Sequence, residues 1–109
     1  MLKVKLFVHE LELGYLTEVA EGYVFSTNKT NIAIAKKQYP IEMRRYNLPE
    51  ANMALYNYIP PIYDEFLVYA SREDLKERAG IEPYDSDLEI LYKMASLEMH
   101  DMVFDIKQG

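Results

Sequence analysis

The sequence predicts an α+β fold: an N-terminal antiparallel β-meander, then C-terminal helices, then a final strand that returns to the sheet. Three observations lead to this prediction. Apolar residues alternate with other residues near the N-terminus, they recur at helical spacing over residues 62–95, and a last apolar run covers residues 102–106. The chain has 109 residues and is 50% hydrophobic, which indicates a single domain over residues 1–109 with enough apolar side chains for a core.

The first 26 residues are predicted to form three strands joined by short turns. In residues 2–8 apolar side chains alternate with Lys3, Lys5 and Phe7, as in a strand with one buried face. The alternation resumes in residues 11–15, where Gly14 indicates a bulge or a close approach of another backbone. Residues 23–26 form the third strand after a turn, and such short connections favour an antiparallel meander.

The middle of the chain gives weaker signals. The apolar stretch 32–35 is too short to assign. Residues 39–43 could add a strand, which Pro40 would confine to an edge of the sheet because proline has no N–H. Residues 53–59 carry apolar side chains at roughly helical spacing, so they could form a first helix that ends at the two prolines 60 and 61.

Helix signals dominate the remainder of the chain. Pro61 is well placed at the first turn of a helix over residues 62–70. Ser71, followed by acidic residues, predicts the start of the next helix, and Gly80 predicts its end. The segment Ser86-Asp87-Leu88-Glu89 has the sequence of a capping box and predicts a further helix.

The charge of the chain argues against direct binding of nucleic acid. The formal net charge is -6, from 18 acidic and 12 basic residues, whereas phosphate binding needs concentrated positive charge. The basic residues Lys36, Lys37, Arg44 and Arg45 are split into two pairs, which we interpret as solvated strand edges. No apolar run approaches the roughly 20 residues of a membrane span, and the N-terminus is unlike a signal peptide. We therefore expect a cytoplasmic protein that does not enter a membrane.

Candidate catalytic and metal-binding groups are few. The sequence has no Cys, which excludes a thiol nucleophile, a disulfide and a zinc–cysteine site. His9 and His100 are far apart in sequence, and neither stands at metal-ligand spacing; we interpret both as exposed turn residues. The four glycines form no phosphate-binding loop. We expect no enzyme active site, no cofactor and no bound metal.

Tyrosine is the residue type that stands out, with ten copies and no Trp. Tyr has an apolar ring and a polar tip, so it suits both the rim of a core and a protein interface. An aromatic run surrounds the proline breaks: Tyr46, Tyr56, Tyr58, Tyr63, Phe66 and Tyr69. Any of these rings that stays exposed would suit protein contact. The predicted partner-binding residues are Tyr56, Tyr58, Tyr63 and Phe66.

The order of these features resembles the N-terminal domain of HipA-type toxin kinases, and more closely its stand-alone version, HipS. In that family an element like Val-Gly-x-Leu precedes a Gly-Tyr-x-Phe strand; residues 11–16 and Gly22-Tyr23-Val24-Phe25 match these two elements. Residues 33–41 take the place of a Ser-Leu-x-x-Pro-Leu strand, and residues 56–67 that of an aromatic segment. The family's Asp-x-x-x-Leu-Leu helix corresponds to residues 87–91, so the resemblance covers nearly the whole chain.

The resemblance implies a function. In HipA-type proteins the kinase chemistry lies in a larger C-terminal domain, and this chain stops before such a domain would begin. In split HipBST-type systems a HipS-like protein neutralises a separate kinase, while a helix-turn-helix partner binds DNA. By this analogy the chain is expected to be an antitoxin that binds a HipA/HipT-like serine/threonine kinase and blocks it sterically, with any link to DNA only indirect.

Two alternatives remain open at this stage. The chain could instead be a non-catalytic subunit that completes or activates a split HipA-like kinase, in which case kinase activity rises when the chain binds. It could also be a small hydrolase or transferase, but that function needs His and acidic groups that converge on one site.

Overall fold

The computed structural model describes residues 1–97 and 103–109. The sheet strands are β1 (Val4–Val8), β2 (Leu11–Val19), β3 (Gly22–Thr27), β4 (Met53–Tyr56) and β5 (Phe104–Gln108). They form one sheet in the order β4-β3-β2-β1-β5, and every neighbouring pair is antiparallel. The predicted α+β fold, with an N-terminal meander and a last strand that returns to the sheet, is therefore confirmed. The predicted start of the last strand, Met102, and the turn residue His100 lie outside the described residues.

Two helices lie between β3 and β4, and three more lie between β4 and β5. They are α1 (Lys29–Gln38), α2 (Pro40–Met43), α3 (Asp64–Ala70), α4 (Glu73–Ala79) and α5 (Asp87–Met94), with a 3₁₀ turn over Pro61–Tyr63 just before α3. Their buried side chains join those of the strands in one hydrophobic cluster. Because the buried apolar residues of the strands share one face of the sheet, the helices cover that face and leave the other open.

The core face follows from the two-residue period of the strands. Val4, Leu6 and Val8 of β1 are fully buried, and the intervening Lys5 and Phe7 point to the open face. The pairing of β1 with β2 is irregular at one point: Leu6 lies opposite Gly14, but the next residue, Phe7, lies opposite Glu12. This is the irregularity predicted near Gly14. A β-carbon at position 14 would overlap the carbonyl oxygen of Ser26, so the glycine permits close approach of β3.

Local signals in the second half of the chain predicted the end of α4 and the start of α5 correctly. Gly80 ends α4 in the left-handed conformation with φ 73°. Ser86 begins α5 with a complete capping box, in which its hydroxyl accepts from the Glu89 N–H. The start of α4 was predicted one residue early, since Arg72 is the N-cap and the Ser71 hydroxyl donates to the Val68 carbonyl.

The predictions for the middle of the chain were wrong in two places. Residues 39–43 do not form a strand: Pro40 stands at the first position of the short helix α2, where its missing N–H costs nothing. Residues 53–59 do not form a helix, because residues 53–56 pair with the free side of β3 as strand β4. The unassigned stretch 32–35 belongs to α1, whose Asn28 cap accepts from the Asn31 N–H at 3.0 Å.

The two basic pairs are solvated as predicted, but they do not lie on strand edges. Lys36 and Lys37 are exposed in the last turn of α1, where positive charge interacts favourably with the helix dipole. Arg44 and Arg45 are exposed just after α2. Arg45 makes an ion pair with Glu65 at 3.1 Å.

Candidate protein-binding surface

The four predicted partner-binding residues fall into two groups. Tyr63 and Phe66 have exposed fractions of 0% and 1%, so they lie in the core. Tyr58 is 62% exposed, and Tyr56 is half-buried at the end of β4. The prediction of an exposed contact is therefore wrong for Tyr63 and Phe66, because neither ring can reach a partner without unfolding.

Tyr63 is a structural residue with a satisfied hydroxyl. Its hydroxyl donates to the carbonyl of Val4 at 3.2 Å, and its ring packs edge-on against Phe25. Burial raises the pKa of the Tyr63 phenol well above its ordinary value, so the group stays neutral and keeps donating. A Tyr held in this way connects the turn before α3 to the first strand of the sheet.

Strand β4 forms one edge of the sheet and has an unpaired side. The Thr27 N–H donates to the Asn52 carbonyl at 2.8 Å, which marks one bonded pair of the β3–β4 ladder. Bonded pairs alternate along antiparallel strands, so Met53 and Leu55 turn their N–H and C=O groups away from β3. Within residues 1–97 and 103–109 these groups have no hydrogen-bond partner.

The side chains of Met53 and Leu55 are also exposed, by 63% and 58%. They point to the open face of the sheet, where Leu55 stands opposite Val24, and Val24 opposite Thr17. In the next row Met53 continues the line of Ser26 and Tyr15. The open face next to the free edge at β4 therefore carries the apolar side chains of Val24, Met53 and Leu55, with Ser26 and Thr17 as polar neighbours.

Tyr56 and Tyr58 stand at the end of β4 as an aromatic pair. Their ring centroids are 6.4 Å apart and the rings are tilted by 67°, the edge-to-face arrangement that aromatic rings prefer. The pKa of Tyr56 is raised, first by its partial burial and then by the neighbouring Tyr58 phenol. We call Met53, Leu55, Tyr56 and Tyr58 together the β4 surface.

A hollow of about 280 Å³ opens beside Tyr56. Its walls come from the loop after α2 and from the proline turn before α3, including Tyr46, Pro49 and Pro60. The volume is at or below the low end of small-molecule sites, which run from about 300 to about 1,000 Å³. The hollow is therefore better matched to one or two side chains of a protein partner than to a cofactor.

Gly22 brings β4 and the turn after β2 close together. A β-carbon at this position would overlap the carbonyl oxygen of Tyr56, and the residue has φ 144°, which other residues rarely adopt. The glycine matched to the Gly-Tyr-x-Phe element thus supports the end of β4 directly.

The opposite edge of the sheet is built differently. Strand β5 carries Asp105 and Lys107 among its five residues, and the Lys107 ammonium lies 4.6 Å from the centre of the Phe7 ring. Charged side chains of this kind prevent another strand from pairing with an edge. Strand β4, with the sequence Met-Ala-Leu-Tyr, has no such charge.

Sequence reasoning missed Met53 and Leu55 as surface residues. It assigned them to the apolar face of a helix because Tyr56 and Ile59 continue their spacing. The signal for a strand was present in the alternation of residues 53–56 and in the prolines 60 and 61, which leave little room for a helix.

Other kinds of site have little support in the part of the chain that the structure describes. It contains no group of three His, Cys, Asp or Glu residues that could hold a metal ion. None of its helices is long and apolar enough to cross a membrane. Comparison of the chain with protein-family models, curated proteins and solved structures finds no match.

Proposed function

We propose that this chain is a non-catalytic, protein-binding domain that acts in the cytoplasm as a HipS-like antitoxin. It binds a separate HipA/HipT-like serine/threonine kinase and neutralises it. The observation that carries the protein-binding part is the β4 surface, where an uncharged free strand edge and exposed apolar side chains occur together. The resemblance of the sequence to HipA N-terminal domains supplies the class of partner.

The free edge supports binding through the backbone. Met53 and Leu55 each offer an N–H and a C=O that a partner strand or loop can pair with. Exposed edges without charge are a hazard that proteins normally remove. An edge retained in this form therefore supports a role in which a partner covers it.

The side chains support affinity and specificity. Met53, Leu55 and Tyr58 together offer flexible apolar chains and an aromatic ring, types of residue that contribute to protein interfaces. The hollow beside Tyr56 can accept a side chain of the partner, as interface hot spots commonly require. Tyr56 and Tyr58 thus remain in the proposed interface, whereas Tyr63 and Phe66 support it from the core.

Inhibition by binding needs no chemistry from this chain. A domain that covers the substrate or nucleotide entrance of a kinase, or that holds its lobes apart, lowers activity by steric exclusion. In this proposal any helix-turn-helix protein that binds DNA contacts the complex through the kinase.

Co-expression with a HipA/HipT-like kinase, taken from the neighbouring gene if that gene encodes one, tests the proposal. We expect a stable complex, restored growth of cells that express the kinase, and lower phosphorylation by the purified kinase when the chain is added. A complex with higher kinase activity would overturn the antitoxin role and support the activating subunit. Absence of a complex together with persistent toxicity would overturn both.

A further inference from the structure

A second surface lies in the helical layer and shares no residue with the β4 surface. It is a cleft of about 990 Å³ between α3, α4, α5 and the loop that joins α4 to α5. Its size exceeds that of the hollow beside Tyr56 more than threefold.

The floor of the cleft is apolar. It is made by Leu67 and Ala70 of α3, Ile81 of the joining loop and Ile90 of α5. Leu67, Ile81 and Ile90 are only partly buried, although they pack against the core. An apolar floor of this kind gains stability when another apolar surface covers it.

The rim of the cleft is strongly acidic. Five carboxylates line it, with Lys76 as the single basic residue: Glu73, Asp74, Glu77, Glu82 and Asp87. Lys76 lies 3.6 Å from Glu73, and Arg72, outside the lining, lies 3.1 Å from Asp74. For the other three carboxylates, no Lys or Arg among the described residues is within ion-pair distance.

The wall formed by the joining loop is held in place. The Asp85 carboxylate accepts from the Glu82 N–H at 2.8 Å and from the Lys93 ammonium at 2.6 Å. Lys93 also donates to the Gly80 carbonyl. These contacts, the backbone N–H first and then Lys93, lower the pKa of Asp85. Lys93 makes its direct contacts with Asp85 and Gly80, and its charge acts on the rim residue Glu82 only at longer range than an ion pair.

We propose that this cleft binds a basic amphipathic helix of a partner protein. The apolar stripe of such a helix covers the floor, and its Lys or Arg side chains reach the carboxylates of the rim. Helix-in-groove binding is a recurrent mode of protein recognition, and complementary charge at the rim favours the correct partner and a fast encounter. The inference is independent of the proposed function, because it concerns other residues and does not require a kinase.

Other classes of ligand fit the cleft less well. Nucleic acid and anionic lipid carry phosphates, which the acidic rim repels. A metal ion has no suitable set of three ligating residues in the part of the chain that is described. A small hydrophilic cation would leave the apolar floor uncovered.

A model peptide provides the probe. It is a fluorescent helix of about 20 residues, longer than the roughly 12–15 residues below which isolated helices are marginal, with leucines at helical spacing and lysines elsewhere. The matched control peptide has glutamate in place of each lysine. We expect the basic peptide to bind the full chain and the acidic peptide not to bind. Raising salt from about 0.1 M to about 1 M shortens the Debye length from about 10 Å to about 3 Å and should weaken the binding.

Two double variants with the same change in net charge locate the binding. Glu77→Lys with Glu82→Lys reverses two rim charges, and Glu21→Lys with Glu50→Lys reverses two exposed charges far from the cleft in sequence. We expect the rim variant to lose about tenfold or more in affinity and the control to change less than about threefold, as local charge pairing predicts.

Amide chemical shifts of the unmodified chain provide a second readout that does not depend on any variant folding. We expect the basic peptide to shift Ile81, Glu82 and Ile90 more than residues of the sheet. Equal loss of affinity in both double variants, shifts spread over the whole surface or centred on β4, or no binding of the basic peptide would each overturn the proposal.

Discussion

The two edges of the sheet both expose backbone N–H and C=O groups, but they carry different side chains. Both β4 and β5 are paired on one side only. Strand β5 presents Asp105 and Lys107, which discourage pairing with another chain. Strand β4 presents the exposed apolar side chains of Met53 and Leu55, which do not oppose pairing with another chain. In the proposed function this difference has a simple interpretation: a partner covers the β4 edge, and the charges of β5 keep its edge from pairing.

The comparison also separates structural aromatic residues from exposed ones. Tyr58 and Tyr63 are five positions apart, yet the first is 62% exposed and the second is fully buried. The two prolines between them turn the chain from the edge of the sheet into the helical layer. Substitutions before this turn are therefore expected to test the proposed binding, and substitutions after it to test folding.

The largest expected effect on stability tests the distinction between buried and exposed aromatic residues. Phe66→Ala should lower the free energy of unfolding by about 3–5 kcal/mol, because it removes a buried ring and leaves a cavity. Its matched control, Tyr58→Ala, should lower the value by no more than about 1.5 kcal/mol, because an exposed side chain loses little except its edge-to-face contact with Tyr56. Urea denaturation measures both. Similar losses would mean that Tyr58 is part of the core and that the β4 surface is not free.

A smaller loss of stability, confined to the β4 edge, is expected from a substitution at Gly22. Gly22→Ala adds a β-carbon against the Tyr56 carbonyl at a φ that alanine rarely adopts, so it should cost about 3 kcal/mol and loosen β4. Amide hydrogen exchange should speed up at Ala54 and Tyr56 more than at Ile106 of β5.

Gly80→Ala is the control for backbone conformation alone. Its β-carbon would meet nothing within 4 Å, but the residue has φ 73°, so a cost of about 1 kcal/mol is expected without a specific effect on β4. If exchange in Gly22→Ala rises equally at both edges, the two edges do not open independently.

The smallest effect on stability concerns the charged edge. Lys107→Val removes a positive charge and its contact with the Phe7 ring, which should cost about 0.5 kcal/mol. It should also make β5 more prone to pair with a second copy, because the edge loses a protecting charge. Sedimentation velocity at increasing concentration measures this association, with Lys36→Val on the exposed surface of α1 as control. Equal behaviour of the two variants would contradict the protective role of Lys107.

The sequence was sufficient for features that depend on local chemistry. The alternation in β1, the Gly80 helix end and the Ser86 capping box each depend on residues close together in the chain, and the structure confirms them. Strand β4 could not be predicted in the same way. Its spacing suits a helix as well as a strand, and pairing with β3, which is distant in sequence, decides between them.

The candidate site was predictable only in part. Composition identified an aromatic segment around the prolines, but a Tyr ring suits a core and an interface equally. The burial of Tyr63 depends on the Val4 carbonyl, 59 positions away in sequence. The exposure of Leu55 depends on the position of β4 at the edge. Neither property can be read from neighbouring residues.

The most direct test of the central claim is the affinity of the chain for a HipA/HipT-like kinase of the proposed partner class, with and without a charge on the β4 edge. Leu55→Lys places a charge at a side chain that is 58% exposed, and Ile41→Lys places the same charge on α2 at one that is 73% exposed. Both variants should remain folded. We predict that Leu55→Lys weakens binding by about 30-fold or more, as loss of a hot spot of about 2 kcal/mol implies, and that Ile41→Lys changes it less than about threefold. Equal weakening in both, or unchanged binding in Leu55→Lys, would contradict the assignment of β4 as the partner-binding surface.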